Sequence, residues 1–236
     1  MGVQVPILTY HKILPVHSDT IYPGTFVPPK LFRQHLQHLA KRGFQTSRLD
    51  EIFSSAMPTK PVILTFDDGF QDFEDNAFPL LQEHKMSGTV FLVSDQIGKT
   101  NEWDEKIGDV RYPLMNRESI LKLHSQGIEF GSHTLSHVRL TSEDADTKAK
   151  EIQQSKSNLE SLLGFPITTF CYPYGSYDEA SVRLAREAGY THATTCEKGL
   201  NNDSEEMLKL KRIAIRNDTS LPVFIYKLWR AFRFGR

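Results

Sequence analysis

Two carboxylates stand side by side at the end of an apolar run in this sequence. The run Val-Ile-Leu-Thr-Phe, residues 62–66, leads directly into Asp67, Asp68 and Gly69. Adjacent carboxylates repel each other, so a solvated turn is the simplest alternative to a functional pair. A functional pair would place one carboxylate on a cation and leave the other free to accept a proton.

Three histidines lie at the ends of other strand-like runs. His11 ends the run 5–11, His133 follows the run 127–132, and His137 comes four residues later. In parallel α/β barrels the C-terminal ends of the strands meet at one rim, so we expect these histidines and the two carboxylates to lie together. One carboxylate and two histidines leave coordination positions open, which is typical of catalytic metal sites.

The elements that would position these side chains alternate along the chain. Strands are predicted at 5–11, 61–66, 88–93, 127–132, 168–173, 191–196 and 210–216, and helices at 29–43, 117–127, 141–164 and 177–189. Alternating strands and helices predict an α/β fold with βα units around a parallel sheet. About seven units without a linker favour a (β/α) barrel over an open sheet, in a single domain that covers residues 1–236.

Three motifs in this order resemble the polysaccharide deacetylase family, also described as NodB-homology or carbohydrate esterase family 4 domains. They are Thr-Phe-Asp-Asp-Gly at 65–69, Ser-His-Thr-Leu-Ser-His at 132–137, and Tyr-Pro-Tyr-Gly at 172–175. The resemblance extends over most of the chain and implies a distorted (β/α) barrel, often of seven strands. It also implies hydrolysis of N-acetyl groups on sugars.

The resemblance assigns roles to individual residues of this chain. It implies that Asp68, His133 and His137 bind one divalent metal ion, usually zinc, with cobalt or nickel as alternatives. It implies that Asp67 is the general base, and that the backbone N–H of Tyr174 helps to stabilise the oxyanion. A metal ion that lowers the pKa of its bound water gives these roles a physical reason.

Two departures from the family pattern raise specific questions. Cys171 stands where the family often has an arginine that orients the base, so another cation, with Arg216 as the candidate, would have to replace it. The late Leu-x-x-His motif is also absent, because no histidine follows His192. We therefore expect His11 to be the general acid, with a polar residue at a strand end as the alternative.

The net charge and several short segments of the sequence limit the possible binding partners and the expected cellular location. The formal net charge is −1, which gives no global field for nucleic acid. No cationic and apolar leader is seen, so we expect a cytoplasmic protein. Cys171 and Cys196 are expected to be buried free thiols, with a disulfide as the alternative. The basic and aromatic segment 223–236 could contact the inner membrane surface weakly, although a helix packed on the barrel is the preferred interpretation.

These observations predict a metal-dependent hydrolase that releases acetate from N-acetylated sugars in a polysaccharide, an oligosaccharide or a lipid-linked glycan precursor. Hydrolysis of another linear or cyclic amide on the same fold is an alternative. A catalytically silent glycan-binding module is a second one, because the family arginine and the late histidine are missing. A non-haem iron oxygenase also uses two histidines and a carboxylate, but such enzymes usually have an all-β fold and H-x-D spacing, and this sequence has neither.

Overall fold

The structure, a computed structural model, describes residues 3–235 and is built around a parallel sheet. Its strands are β1 (Ile7–Tyr10), β2 (Gln45–Thr46), β3 (Pro61–Phe66), β4 (Thr89–Leu92), β5 (Glu129–Ser132), β6 (Thr169–Cys171), β7 (His192–Thr194) and β8 (Ile213–Ala214). They follow the order β7-β6-β5-β4-β3-β1-β8, and β2 pairs with β3 beside this path. The prediction of a distorted barrel of about seven parallel strands is confirmed, and β2 is an additional short strand.

The two outermost strands of this order are linked by the chain that leads into β8. The N–H of Leu210 donates to the carbonyl of Ala193, and the N–H of Thr195 donates to the carbonyl of Leu210, both at 2.9 Å. The N–H of Arg212 donates to the carbonyl of Glu197 at 2.7 Å. The segment therefore hydrogen-bonds beside β7 first and then pairs with β1 as β8.

Successive side chains along each strand point to opposite faces of the sheet, and this creates two apolar layers. One set of residues fills the barrel interior and includes Ile7, Ile63, Phe91, Cys171 and Leu210. The residues next to them in sequence face the surrounding helices instead and form the larger core. Strands covered on both faces need apolar residues at nearly every position, which explains the continuous apolar runs in the sequence.

The helices are α1 (Pro29–Lys41), α2 (Phe78–Glu83), α3 (Glu102–Glu105), α4 (Arg117–Ser125), α5 (Ala145–Leu163), α6 (Glu179–Glu187) and α7 (Leu221–Phe234). The four predicted helices correspond to α1, α4, α5 and α6. Helix α5 begins later than expected, because Asp144 is its N-cap and accepts a hydrogen bond from the N–H of Thr147 at 2.8 Å. It ends at Gly164, which has a φ of 81°, a left-handed conformation that glycine adopts without strain.

Helix α7 is packed on one side only. Phe224, Leu228 and Ala231 are buried, and the Phe224 ring stacks on His35 of α1 with 4.2 Å between centroids. Tyr226 and Trp229 each remain 54% exposed on the other side. The expected helix packed on the barrel therefore describes the buried face of α7, and the aromatic residues on its other face remain exposed. Over residues 3–235, no helix has both the length and the apolar character that a membrane crossing requires.

The two cysteines have different environments. Cys171 is a buried free thiol in the barrel interior, as expected. Cys196 is free as well, but it is exposed, so the expectation that both thiols are buried was wrong for this residue. The reason is its position, because Cys196 lies two residues beyond the end of β7, where the chain leaves the sheet.

We predict that the substitution Gly131→Ala destabilises the barrel. A Cβ atom at Gly131 would lie 2.7 Å from Cδ1 of Phe91 and would also collide with Oγ1 of Thr169. Overpacking of this kind costs about 1–3 kcal/mol of the free energy of unfolding. Urea denaturation should show this loss, whereas Gly24→Ala, whose Cβ would meet its nearest neighbour at 3.7 Å, should change little. Equal stability of both variants would contradict the described interior packing.

Candidate active site

The predicted residues come together at the C-terminal rim of the barrel. Asp67 and Asp68 follow β3, His133 follows β5, and His137 lies on the loop after β5. All four side chains are at least nine-tenths buried. Asp68 and His137 have φ values of 76° and 63°, a region that non-glycine residues seldom occupy. Backbone strain of this kind clusters at functional sites.

Asp68, His133 and His137 form a compact group of ligand atoms. The Oδ1 atom of Asp68 lies 3.5 Å from Nε2 of His133 and 3.2 Å from Nε2 of His137. Each residue offers one ligand atom, and the three atoms lie within 4.8 Å of one another. Oδ1 of Asp68 is buried and has no hydrogen-bond partner within the described part of the chain. A buried carboxylate oxygen without a donor fits a site built to bind a cation.

The far sides of the two imidazole rings are held by the end of β6 and by the turn that follows it. Nδ1 of His133 donates to the carbonyl of Cys171 at 2.7 Å, and Nδ1 of His137 lies 3.1 Å from the hydroxyl of Tyr174. The ring of Trp103 packs over His137 with 4.5 Å between centroids. The bond to the carbonyl places the proton on Nδ1 of His133, so that Nε2 keeps its lone pair for a metal ion. One carboxylate and two imidazoles are a donor set that suits zinc, cobalt and nickel.

A second group, Asp67, His133 and Cys171, also brings three ligand atoms together. A cation already lies between two of its members, because the guanidinium of Arg212 contacts Asp67 and lies 3.3 Å from the Cys171 sulfur. A metal ion placed there would meet this buried positive charge. The Asp68 group is therefore the metal site that the geometry favours.

Arg212 is the cation that holds Asp67. Nη1 donates to Oδ1 of Asp67 at 2.7 Å, and Nη2 donates to Oδ2 at 2.8 Å. The side chains of Arg212 and Asp67 are only 3% and 4% exposed. Burial alone would raise the pKa of Asp67, but the charge and hydrogen bonds of Arg212, together with the nearby His11 and His133, outweigh burial and leave the pKa below its usual value. Asp67 is therefore an ionised and oriented carboxylate at neutral pH.

The expectation that Arg216 takes this place was wrong. Residues 212 and 216 face the same side of an extended chain, but Arg216 lies beyond the end of β8 and is exposed. Four residues of strand correspond to roughly 13 Å along the chain, which carries Arg216 away from Asp67. Alternation places Arg212 on the same face as Leu210, which lies in the barrel interior, but it places Arg216 there as well, so only the end of β8 separates the two residues.

His11 lies beside Asp67 at the end of β1. Its Nε2 atom is 3.8 Å from Oδ2 of Asp67, and its side chain is 30% exposed. Burial lowers the pKa of His11, and the carboxylates of Asp67 and Asp68 offset this only in part. The residue thus adjoins both the candidate base and the open side of the site, as a proton donor to a bound substrate must.

Tyr174 closes the opposite side of the site. Its φ of 59° is left-handed, its side chain is 45% exposed, and its hydroxyl contacts His137. Arg139 lies over the Tyr174 ring, 4.5 Å from the centroid. The sequence suggested only the backbone N–H of Tyr174, and this oxyanion role stays a prediction. The contact of the hydroxyl with His137 is a second way in which Tyr174 shapes the site.

The rim residues surround a cavity of about 150 Å³, here called the metal-side cavity. Its lining includes Asp67, Asp68, His133, His137 and His11. Lys12, Trp103 and Asp104 also line it, and none of the three was singled out in the sequence. A larger cavity of about 400 Å³, the β1–β8 cavity, adjoins it and shares His11 and Cys196.

Comparison with known proteins agrees with this geometry. The chain is 29% identical over 228 residues to the Bacillus subtilis protein YxkH, covering 94% of this chain and 75% of that protein. It is 23% identical over 170 residues to a Staphylococcus epidermidis protein named poly-beta-1,6-N-acetyl-D-glucosamine N-deacetylase, covering 68% of this chain and 56% of that protein.

Among solved structures, the Streptococcus pyogenes deacetylase PplD in complex with acetate has a similar fold. The TM-score is 0.82 at 24% identity, over 96% of this chain and 99% of that one. The family model described as polysaccharide deacetylase matches residues 54–193, which is more than half of the chain. The chain therefore belongs to the polysaccharide deacetylase family.

Proposed function

We propose that this protein is a metal-dependent N-deacetylase that hydrolyses the acetamide of N-acetylated sugars and releases acetate. The observation that carries the proposal is that a set of metal ligands and an ionised base lie together at one rim of the barrel. Asp68, His133 and His137 present a donor set for one divalent ion, and Asp67 beside them is kept ionised by Arg212. The proposed metal is zinc, with cobalt or nickel as alternatives.

A divalent ion at this site would supply Lewis acidity and would lower the pKa of a water from about 15.7 towards about 7. The protein's own part begins with Asp67, which takes a proton from the attacking water. Arg212 holds both carboxylate oxygens of Asp67, so the base cannot rotate away from the site. The backbone N–H of Tyr174 is proposed to donate to the oxygen of the acetamide carbonyl as negative charge develops there.

The carbon–nitrogen bond of the acetamide breaks only if the nitrogen gains a proton. We assign this proton to His11, which lies 3.8 Å from Asp67 and lines the metal-side cavity. Water supplies the oxygen that joins the acetyl carbon, and the products are acetate and the free amine of the sugar. Base and acid thus follow the ends of neighbouring strands, β3 and β1.

The substrate class rests on two supports. The family acts on polysaccharides, and the Staphylococcus epidermidis relative is named for poly-β-1,6-N-acetyl-D-glucosamine. The metal-side cavity also adjoins the larger β1–β8 cavity, which offers room for more than the reacting sugar. A polysaccharide, an oligosaccharide or a lipid-linked glycan precursor is therefore proposed as substrate, rather than a small isolated amide.

The other functions have weaker support. A catalytically silent glycan-binding module would have no use for a buried base held by two hydrogen bonds from Arg212. Hydrolysis of another amide would need the same base and donor set, so only a substrate panel separates it. The cytoplasmic location and the weak membrane contact expected from the sequence stay predictions, which cell fractionation would test.

Acetate release from a panel of N-acetylated glycans by zinc-loaded protein tests the proposed function. We expect acetate release from oligomers that contain N-acetylglucosamine, and about one metal ion per chain. Asp68→Ala should remove both metal and activity because it deletes a ligand. Asp67→Asn should keep the metal and lose activity, by about 10²–10⁴-fold, because it removes only the base. Full metal content in Asp68→Ala, or wild-type turnover in Asp67→Asn, would contradict the assigned roles.

His11→Ala tests the proton donor. We expect turnover to fall by about 10²–10⁴-fold with metal content and melting temperature unchanged, because His11 lies at the rim and not in the core. Burial lowers the pKa of His11, so the basic limb of the wild-type pH–rate profile should lie below the usual imidazole value of about 6.5.

The readout specific to an acid is that this basic limb disappears or moves in His11→Ala. His17→Ala, which alters an exposed histidine elsewhere, is the matched control. If turnover of His11→Ala stayed within a few-fold of wild type and the pH–rate profile were unchanged, solvent rather than His11 would be the proton donor.

A further inference from the structure

A strongly basic cavity lies beside helix α7. It has a volume of about 500 Å³ and is lined by Lys198, Arg216, Lys227 and Arg230, with Asp218 as its one carboxylate. The chain as a whole has a formal net charge of −1, so this accumulation of positive charge is local. We call this space the basic cavity.

The four cations of the basic cavity outnumber its single carboxylate, Asp218. None of them takes part in the ion pairs found among residues 3–235. Lys227 donates to the carbonyl of Ala214 at 2.6 Å, which fixes its ammonium group beside β8. Burial lowers the pKa of Lys227, and Arg216 and Lys198 lower it further by repulsion, while Asp218 opposes them. An anion in the basic cavity would relieve this repulsion.

The basic cavity adjoins the candidate active site through an intervening cavity that shares lining residues with both. It shares Lys198, Ala214 and Arg216 with the β1–β8 cavity. The β1–β8 cavity in turn shares His11 and Cys196 with the metal-side cavity. A single elongated ligand could therefore have one end beside Asp67 and the other among the four cations.

Helix α7 carries an unusual exposed surface next to the basic cavity. Tyr226 and Trp229 stack with 5.9 Å between centroids and are each 54% exposed, and Phe234 is 59% exposed. Arg230, which lines the basic cavity, lies on the same exposed side of the helix. The helix Leu221–Phe234 contains no acidic residue. Aromatic side chains mixed with cations are typical of surfaces that meet anionic amphiphiles.

We propose that the basic cavity binds the phosphate or diphosphate of a glycosyl phosphate whose N-acetylated sugar lies at the metal-side cavity. This rests on the proposed function, because it names the form in which the N-acetylated sugar is presented. Arginine and lysine side chains donate charge-assisted hydrogen bonds to phosphate oxygens, and Arg216 and Arg230 can do so in a bidentate manner. The exposed aromatic side of α7 lies where a lipid attached to that diphosphate would leave the protein.

A sugar diphosphate can be linked to a lipid or to a nucleoside, and a set of three ligands separates these sources. They are geranyl diphosphoglucosamine, uridine diphosphoglucosamine, and geranyl glucosaminide, which lacks the diphosphate. All carry a free amine and cannot be deacetylated, so calorimetric binding to the zinc-loaded protein does not depend on turnover. Failure of the proposed function would appear as missing acetate release, and failure of the present proposal as missing diphosphate recognition.

We expect wild-type protein to bind geranyl diphosphoglucosamine at least about tenfold more tightly than geranyl glucosaminide, as strong phosphate contacts imply. The double variant Lys198→Gln/Arg230→Gln should lose this preference, because it removes two exposed cations of the basic cavity. Lys150→Gln/Arg183→Gln removes the same charge from exposed positions on α5 and α6 and should keep the preference. Thermal melting of both double variants would verify that they fold.

Equal binding of the two geranyl ligands to wild-type protein would overturn the proposal. Full retention of the preference in Lys198→Gln/Arg230→Gln would overturn it as well, because the diphosphate would then be bound elsewhere, for example at the zinc ion. Given a preference that depends on the basic cavity, tighter binding of the geranyl ligand identifies a lipid-linked substrate. Tighter binding of the uridine ligand under the same condition identifies a nucleotide-linked one.

Discussion

The ion pair between Asp67 and Arg212 is the interaction on which the candidate site depends. Both groups are almost completely buried and are joined by two hydrogen bonds of 2.7 and 2.8 Å. Removing one partner of such a buried pair leaves an uncompensated charge, which costs about 3–5 kcal/mol. The pair also explains how two adjacent carboxylates can coexist at one strand end. Arg212 compensates Asp67, while Asp68 faces His133 and His137, so the two carboxylates lie against different groups.

The same ion pair couples the fold to the site. Arg212 lies on the segment that first hydrogen-bonds beside β7 and then becomes β8, and Asp67 directly follows β3, on the far side of β1. Barrel geometry therefore sets the orientation of the base. Beyond the base, a row of adjoining cavities extends from Asp67 along β1 and β8 towards α7, so the last strand and the last helix contribute to the surface that a long substrate would meet. In this account the C-terminal part of the chain both orients the base and presents the substrate.

Most of the architecture could be predicted from the sequence because strand and helix patterns are local. Seven strands and the convergence of Asp67, Asp68, His133 and His137 at one rim followed from apolar runs and from the strand-end rule. The contribution of Arg212 could not be assigned in the same way, because it depends on which strands are neighbours in space and on where a strand ends. Arg216 has the same chemistry and faces the same side, so only the register of β8 distinguishes the two residues. Cys196 was misjudged for a similar reason, because β7 ends before it.

The central claim is that Arg212 takes over the place of the family arginine, whose position is held here by Cys171. The most direct test is to remove the arginine at position 212 and to place one at position 171 instead. The measurement compares the acid limb of the kcat/KM pH profile in wild type, Arg212→Ala and Arg212→Ala/Cys171→Arg. The Cys171 sulfur lies 3.3 Å from the Arg212 guanidinium, so an arginine at position 171 can reach Asp67 once Arg212 is truncated. Loss of the cation should raise the pKa of Asp67 and move the acid limb to higher pH, with a lower rate. The double variant should return both towards wild type, whereas an Arg212→Ala enzyme with an unshifted acid limb and wild-type turnover would contradict the account.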